Sequence, residues 1–331
     1  MTQKTYSYAA ALAHALDQAM AVDARVVLLG EDIREGVFGA TNGLAKKYDP
    51  SRVLDMPISE TAFTGMAVGA AMTGLRPVVE IMFCDFMGVC FDQIINQAAK
   101  ARFLSGGRLT LPLVIRTTMG AGDGSGAMHS QSLAHLLTSV PGLRVAMPST
   151  PADAAGLLLA AIADDGPVIF FEHKGLYAVE GPLDEVIEPI PFGEARQVLR
   201  GSDVTLVALS AMVKVAETAA DTLAEQGISA DIIDPRTVSP IDMAAITESV
   251  ERTGRLVVVD EGAARCGLAA DIAAAVQQQA FAALKAPVQM VTPPHTPVPY
   301  ARAAESAWLP DAEAVIGAVK RTLSQSIIGS M

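Results

Sequence analysis

The feature that most constrains this chain is an alternation of short, apolar, β-branched runs with longer alanine-rich stretches of helical period. Runs at 25–30, 77–83, 111–117, 143–147 and 167–172 are followed by a turn-rich segment at 180–192. Further runs then stand at 204–210, 230–234, 255–260 and 288–292. A strand that is apolar on both sides is buried on both faces, which is the situation in parallel sheets covered by helices. Helical stretches at 213–226 and 269–284 fit between the later runs. Pro182, Pro189 and Pro191 punctuate the gap, as a domain linker would. The expected fold class is therefore α/β, in two domains, each a mostly parallel sheet flanked by helices. The boundary falls near 190, with a first domain at 1–185 and a second at 186–331. At 331 residues the chain is long enough for two such cores.

Charge excludes some functions. The formal net charge of −12 disfavours nucleic acid and anionic membrane as partners, since both demand a basic face. Only 18% of residues are charged, which points to surface buried against another subunit, with a large single core as the alternative. Cys84, Cys90 and Cys266 are odd in number and form no CxxC pair, as expected for small core thiols in a reducing, cytoplasmic setting. The longest apolar run, 154–163, lies between Asp153 and Asp164 and is far too short to span a membrane. Near the N-terminus Ala9, Leu12, Leu16 and Met20 recur at helical spacing, with His14 and Asp17 between them. They describe an amphipathic helix rather than a signal peptide.

Ligands of open α/β sheets bind beyond the carboxyl ends of strands, which directs attention to Glu31 and Asp32, Asp85 and Phe86, the loop 119–131, His173, and 261–266. The loop holds Gly120, Gly122, Gly124 and Gly126, then His129, Ser130 and Gln131. Alternating glycines after a strand imply a backbone that approaches something closely. His129 is either an acid/base near neutral pH, oriented by Ser130 and Gln131, or the cap of a helix starting around Ser130.

Gly122-Asp123-Gly124 resembles the start of a motif that holds magnesium and diphosphate. That motif needs an asparagine roughly 25 to 30 residues further on to complete the oxygen ligands. The chain has only Asn42 and Asn96, both upstream, so it cannot hold the diphosphate alone. Glu60 precedes a small-residue helix at 62–74 containing Gly65, Ala67, Gly69 and Ala70. Ser59 or Glu60 could simply cap that helix, and its small face suits close packing in the core or against another subunit. Cys84 and Cys90 lack metal-ligand spacing. His129 and His135 are six residues apart, wrong for one helical face, and Glu172 and His173 alternate sides of a strand end.

Taken in order, several segments resemble one family over essentially the whole chain: Leu29-Gly-Glu-Asp32, Arg52-Val-Leu-Asp-Met-Pro-Ile-Ser-Glu60, Gly74-Leu-Arg-Pro-Val-Val-Glu80, residues 92–100, His129-Ser-Gln131, Pro141-Gly-Leu143 and Glu172-His-Lys174. The family is that of the β subunits of thiamine-diphosphate-dependent 2-oxo acid and acetoin dehydrogenases. Residues 82–86, 254–261 and 294–300 resemble its acetoin branch most. The resemblance implies a pyrimidine-binding domain followed by a transketolase-like C-terminal domain. It also implies an assembly of two α and two β subunits, with thiamine diphosphate shared between them and magnesium in the α subunit's site. A dihydrolipoyl acyltransferase would be the next partner.

Carried onto this chain, the resemblance makes Glu60 the residue that hydrogen-bonds the aminopyrimidine ring. A carboxylate there favours the imino tautomer, whose exocyclic nitrogen can take the thiazolium C2 proton. Phe86 becomes an aromatic packed on the same ring, and His129 a proton handler during acylation of the lipoyl arm. Met128 replaces the family's usual Gln. A structural potassium would fall to Leu113, Ala161, Ile162 and Asp164, although Gly166 replaces an expected Asn. The implied reaction is cleavage of acetoin with transfer of the acetyl unit to lipoamide. The alternatives are a pyruvate or branched-chain 2-oxo acid dehydrogenase and a non-catalytic β-like scaffold.

Overall fold

The computed structural model describes residues 3–325. The chain forms two compact units. Among the described residues, the first takes 3–120 and Leu136–Phe192; the second takes Ala121–His135 and 193–325.

The strands of the first unit are β1 (Gln3–Ser7), β2 (Val26–Gly30), β3 (Val53–Asp55), β4 (Arg76–Phe83), β5 (Val114–Met119), β6 (Arg144–Ala146), β7 (Val168–His173) and β8 (Glu180–Asp184). Six of them make a wholly parallel sheet in the order β6-β7-β5-β4-β2-β3. Every residue of β2, β5 and β7 is buried, as strands covered on both faces require. The N-terminal helix, Tyr8–Val22, is capped by the Ser7 hydroxyl and buries Leu12, Ala15, Leu16 and Ala19. It packs on the helix Pro151–Ala163, which the Thr150 hydroxyl caps in turn.

Three details differ from expectation. The run 111–117 becomes a strand only at Val114, because Pro112 has no N–H to give and Leu113 bonds back to Leu111. The segment read as turns contains β8, which pairs antiparallel with β1 in a separate two-stranded ribbon. The helix expected at 62–74 runs Glu60–Met72, so Glu60 is its first residue; Gly74, at φ +101°, ends it in the left-handed region.

The middle of this sheet is ionic. Arg116 on β5 is buried and donates to Glu172 on β7 through Nε (2.7 Å) and Nη2 (2.9 Å), and to Glu80 on β4 through Nη1 (2.8 Å). The Tyr177 hydroxyl adds a bond to Glu172 at 2.8 Å. Burial pushes the Glu80 carboxyl up against the pull of Arg116, and pushes the Tyr177 phenol well above its usual range.

In the second unit β9 (Arg196–Leu199), β10 (Val204–Ala208), β11 (Ala230–Asp234), β12 (Thr237–Ser239), β13 (Leu256–Val259) and β14 (Gln289–Val291) are the strands. The main sheet has the order β14-β13-β10-β11-β9, parallel except for β9, which pairs antiparallel with β11 at the edge. The helices Met212–Glu225 and Ala312–Ser324 cover one face through Val213, Ala216, Ala220, Val315 and Val319. The other face carries the helix Met243–Thr253, where Thr205 meets Ser249 at 2.7 Å and Thr253 at 2.8 Å. The helix expected at 269–284 stops at Gln279, since Ala280 leaves helical geometry at φ −128° and a short 3₁₀ turn follows.

Candidate active site

Glu60 stands at the N-terminus of its helix with its side chain almost wholly buried. Ser59, the residue before it, makes no capping hydrogen bond, so neither of the two acts as a conventional hydroxyl cap. A carboxylate in the first turn gains about 0.3–1 kcal/mol from the helix dipole, less than its burial costs when unpaired. Nor are its neighbours compensating. Glu31, directly beyond β2, is raised above the ordinary carboxylate range by burial and then by the charges of Glu60 and Asp32. Its Oε1 is buried without a hydrogen-bond partner. Burial, opposed by a bond to Thr64 and reinforced by the charge of Glu60, drives the Cys90 thiol up to about 11.

The local backbone explains why Glu31 comes so close. Gly30 admits no side chain: a Cβ there would lie 2.8 Å from the Glu80 carbonyl oxygen and from Ile33 Cγ2. Asp32 then takes a left-handed φ of +50°, which aspartate tolerates better than most residues.

Phe86 lies in the 3₁₀ turn Cys84–Cys90 that follows β4. This turn packs against the helix of Glu60, and the Thr61 hydroxyl ties the two together at Val89 O, 2.8 Å away. Phe86 is half-buried and meets Phe83 edge-on at 5.5 Å; Phe83 meets Phe38 in the same way at 5.6 Å, with Lys174 Nζ 5.4 Å from the Phe83 ring. Glu60 and Phe86 therefore sit on adjoining elements of one unit. A ring carrying hydrogen-bonding nitrogens on an edge and π faces above and below suits this combination of buried carboxylates, one with an unpartnered oxygen, and aromatic edges.

The residues singled out for potassium also lie in the first unit, where Arg76 already supplies a positive charge. Its Nη1 donates to the carbonyls of Ile162 (3.0 Å) and Asp164 (2.9 Å), and Nη2 to Asp165 at 2.7 Å. The Leu113 carbonyl accepts from Val168 and that of Ala161 from Asp164. Asp164 Oδ1 accepts from the N–H of Gly166 at 2.8 Å.

His129 belongs to the second unit, half-buried, with its N–H 3.3 Å from the Gly126 carbonyl. The next helix begins only at Ala134, so His129 does not cap it. Nor does Ser130 orient the imidazole, because its hydroxyl is buried without a partner. Met128 is 71% exposed. The side of the loop formed by Ala127, Gln131, Leu133 and His135 lines a cavity of about 490 Å³, together with Pro293 and Trp308. Burial pulls the imidazole of His135 below its usual range.

What the glycines approach is two carboxylates. Glu261 Oε1 accepts from the N–H of Ala121 at 2.6 Å, while Glu305 Oε1 and Oε2 accept from the N–H groups of Gly122 and Gly124, each at 2.9 Å. Gly126 lies against Tyr300, whose Cδ2 would be 3.2 Å from an added Cβ. Sequence reading passed over Glu305. Its helix, Arg302–Trp308, has no other fully buried residue, so no apolar stripe marked which side faces inward.

Known proteins agree with this architecture. The transketolase pyrimidine-binding domain matches residues 4–180 and the transketolase C-terminal domain matches residues 193–315. The β subunit of acetoin:2,6-dichlorophenolindophenol oxidoreductase of Cupriavidus necator is 52% identical, across 95% of this chain and 96% of its own length. The chain belongs to the β subunits of thiamine-diphosphate-dependent dehydrogenases of the acetoin and pyruvate type. The acetoin oxidoreductase β subunit of Bacillus subtilis is 45% identical over 97% of this chain and 98% of its own. The pyruvate dehydrogenase E1 β subunit of Rickettsia bellii is 44% identical over 94% and 96%. Among solved structures, a split-gene transketolase in an inactive β4 tetramer superposes with a TM-score of 0.81 at 25% identity, covering 97% of this chain and 99% of that one. A thiamine diphosphate pyrimidine-binding domain and a partner α subunit follow from membership of this β-subunit family. Cys84 and Cys90 are buried as expected, whereas Cys266 is exposed. No helix among the described residues is long and apolar enough to cross a membrane.

Proposed function

We propose that this chain is the β subunit of a cytoplasmic acetoin dehydrogenase, assembled as two α and two β subunits, which passes its acetyl unit to the lipoamide of a dihydrolipoyl acyltransferase. The observation that carries the proposal is Glu60, buried at a helix start beside a second carboxylate whose outer oxygen has no partner. The chain's own arrangement leaves the Glu31 oxygen without a partner, and an aminopyrimidine ring offers N–H groups to such a pair of carboxylates. When bound, thiamine diphosphate supplies a carbanion equivalent able to attack a carbonyl carbon.

Glu60 would hold a hydrogen at the ring nitrogen and thereby set the ring's tautomer. Phe86 would fix the ring's tilt by its edge. His129 would hold or move a proton where the lipoyl arm is acylated. Magnesium belongs to the α subunit in this reading, because Gly122-Asp123-Gly124 has no asparagine after it and its glycine amides are engaged by Glu305. A potassium ion at Leu113, Ala161, Ile162 and Asp164 would share two carbonyls with Arg76, so a minor stabilising role is assigned to it. The exposed Ile58, Met66 and Met72, with open space where a Cβ on Gly69 would lie, suit the helix Glu60–Met72 to a subunit contact.

Acetoin is favoured over pyruvate by the higher identity to acetoin oxidoreductase β subunits; the pyruvate dehydrogenase relatives keep that substrate as the second reading. The test is turnover of acetoin, pyruvate and branched 2-oxo acids with an artificial electron acceptor, by the chain alone and reconstituted with its α partner. Acetoin turnover only in the reconstituted enzyme is expected. Preference for a 2-oxo acid would move the chain to the second reading, and no turnover of any substrate would make it a scaffold. Calorimetry on the isolated subunit should find no tight thiamine diphosphate binding; micromolar affinity without α would end the shared-site reading.

A further inference from the structure

The glycine-rich loop has the form of an anion-binding nest, a concave stretch of backbone whose N–H groups turn inward. Gly120, Gly122, Gly124 and Gly126 all take positive φ, at +94°, +116°, +77° and +73°. Side-chain-bearing residues disfavour that region. Each left-handed residue reverses the peptide direction, so the N–H groups of Gly122 and Gly124 converge on one point. At that point stands Glu305, 1% exposed, with one oxygen on each N–H at 2.9 Å. Glu261 takes the adjacent N–H of Ala121 at 2.6 Å. The contacts span 181 and 183 positions of sequence for Glu305 and 140 for Glu261. They are tertiary tethers, not local turn bonds like that from Ser125 N–H to Asp123 Oδ1.

We propose that Glu305, assisted by Glu261, is a positioning residue: its carboxylate fills the glycine nest and so fixes the segment that carries His129. The inference rests on the reading of His129 as a proton handler in acetyl transfer. His129 follows Gly124 by five residues, and its own N–H is bonded to Gly126. Movement of the nest is therefore passed to the imidazole through a few peptide units. Charge-assisted bonds from backbone N–H to carboxylate are about twice as strong as neutral ones. Three of them on successive turns of a loop without regular secondary structure account for how glycine-rich backbone can hold a fixed shape. A misplacement of about 1 Å at a reacting group costs on the order of 10²-fold in rate.

The experiment uses Glu305→Gln and Glu305→Asp in the enzyme reconstituted with its α partner. Glutamine keeps the volume but turns an amide NH₂ toward one of the two N–H groups; aspartate keeps the charge one methylene short. Three quantities are read on each: hydrogen exchange of the Gly122 and Gly124 amides, acetyl transfer to a free lipoyl domain, and C2 proton exchange of the cofactor. In Glu305→Gln the two amides should exchange about 10-fold faster or more, as expected for loss of charged hydrogen bonds. Acetyl transfer should fall about 10²-fold, with C2 proton exchange within about threefold of the parent. Aspartate should give an intermediate loss and keep the pH profile of transfer. Unchanged amide exchange would show that Glu305 does not hold the loop, and equal losses in acetyl transfer and C2 exchange would show general damage; either overturns the proposal. Should the parent enzyme neither cleave acetoin nor transfer acetyl, the proposed function fails, yet amide exchange still decides whether Glu305 fills the nest.

Discussion

Glu60 and Glu305 are both more than nine-tenths buried and both lie in the first turn of a helix, yet their surroundings are opposite. Glu305 meets two backbone N–H groups and makes a closed, internally satisfied contact. Glu60 meets Glu31, a second carboxylate with an oxygen left over. Buried polar groups in folded proteins are nearly always partnered, so the difference separates two uses of the same side chain. One carboxylate is finished by the chain itself and serves as framework. The other, in the proposed function, takes its partner from outside the chain. The Arg116 cluster is a third case, in which two buried carboxylates are reconciled by a guanidinium between them.

The largest effect should come from converting the third case into the second. Arg116→Met leaves Glu80 and Glu172 buried without their cation, a loss of about 3–5 kcal/mol for a broken buried pair. Denaturant unfolding measures it, and a loss under about 1 kcal/mol would mean the two acids simply protonate.

Next in size is Glu60→Gln. It should slow C2 proton exchange by about 10²-fold or more while stabilising the free chain by up to about 1 kcal/mol, because repulsion with Glu31 is relieved. Activity lost together with stability would return Glu60 to the framework class.

A smaller effect tests a buried acid of the second unit. Asp260 is raised to about 6 by burial and by Glu261, against the N–H groups of Gly262 and Ala269. The folded chain thus keeps a proton that the unfolded chain releases near 3.8. The stabilising contribution is full below the lower value and is lost as pH rises through about 6. Thermal unfolding of Asp260→Asn between pH 5.5 and 7.5 should therefore fall less with pH than that of the parent; parallel curves would place the titration elsewhere.

The smallest concerns Arg76. Replacing sodium by potassium at constant ionic strength should raise the unfolding midpoint by about 1 °C, and identical midpoints would remove the ion from the assembly.

The parallel strands were legible in the sequence because burial on both faces leaves an unbroken apolar run, as in β2 and β10. β1 and β8 were not: their residues are largely polar and half-exposed, and only the pairing of Gln3 with Asp184 and its neighbours makes them a ribbon. At the site, position alone left Glu60 a candidate helix cap and its proposed role came from the family resemblance, while the glycines announced a close approach. What they approach was not, since Glu261 and Glu305 reach the loop from the far end of the chain and carry no periodic signature. The helix read as starting around Ser130 begins at Ala134 instead, with Ser130 itself buried in the irregular stretch before it.

The long reach of those tethers also sets an order of events on the ribosome. Glu172 is made 56 residues after Arg116, a delay of roughly 3 to 11 s at ~5–20 residues per second. The first sheet can thus be completed early. Glu305 follows Gly122 by 183 residues, or roughly 9 to 37 s at the same rate. The loop bearing His129 is synthesised before the middle of the chain and acquires its final shape only when translation is nearly over. A truncated product ending anywhere between residues 130 and 304 would contain Glu60, Phe86 and His129 and still lack a set loop.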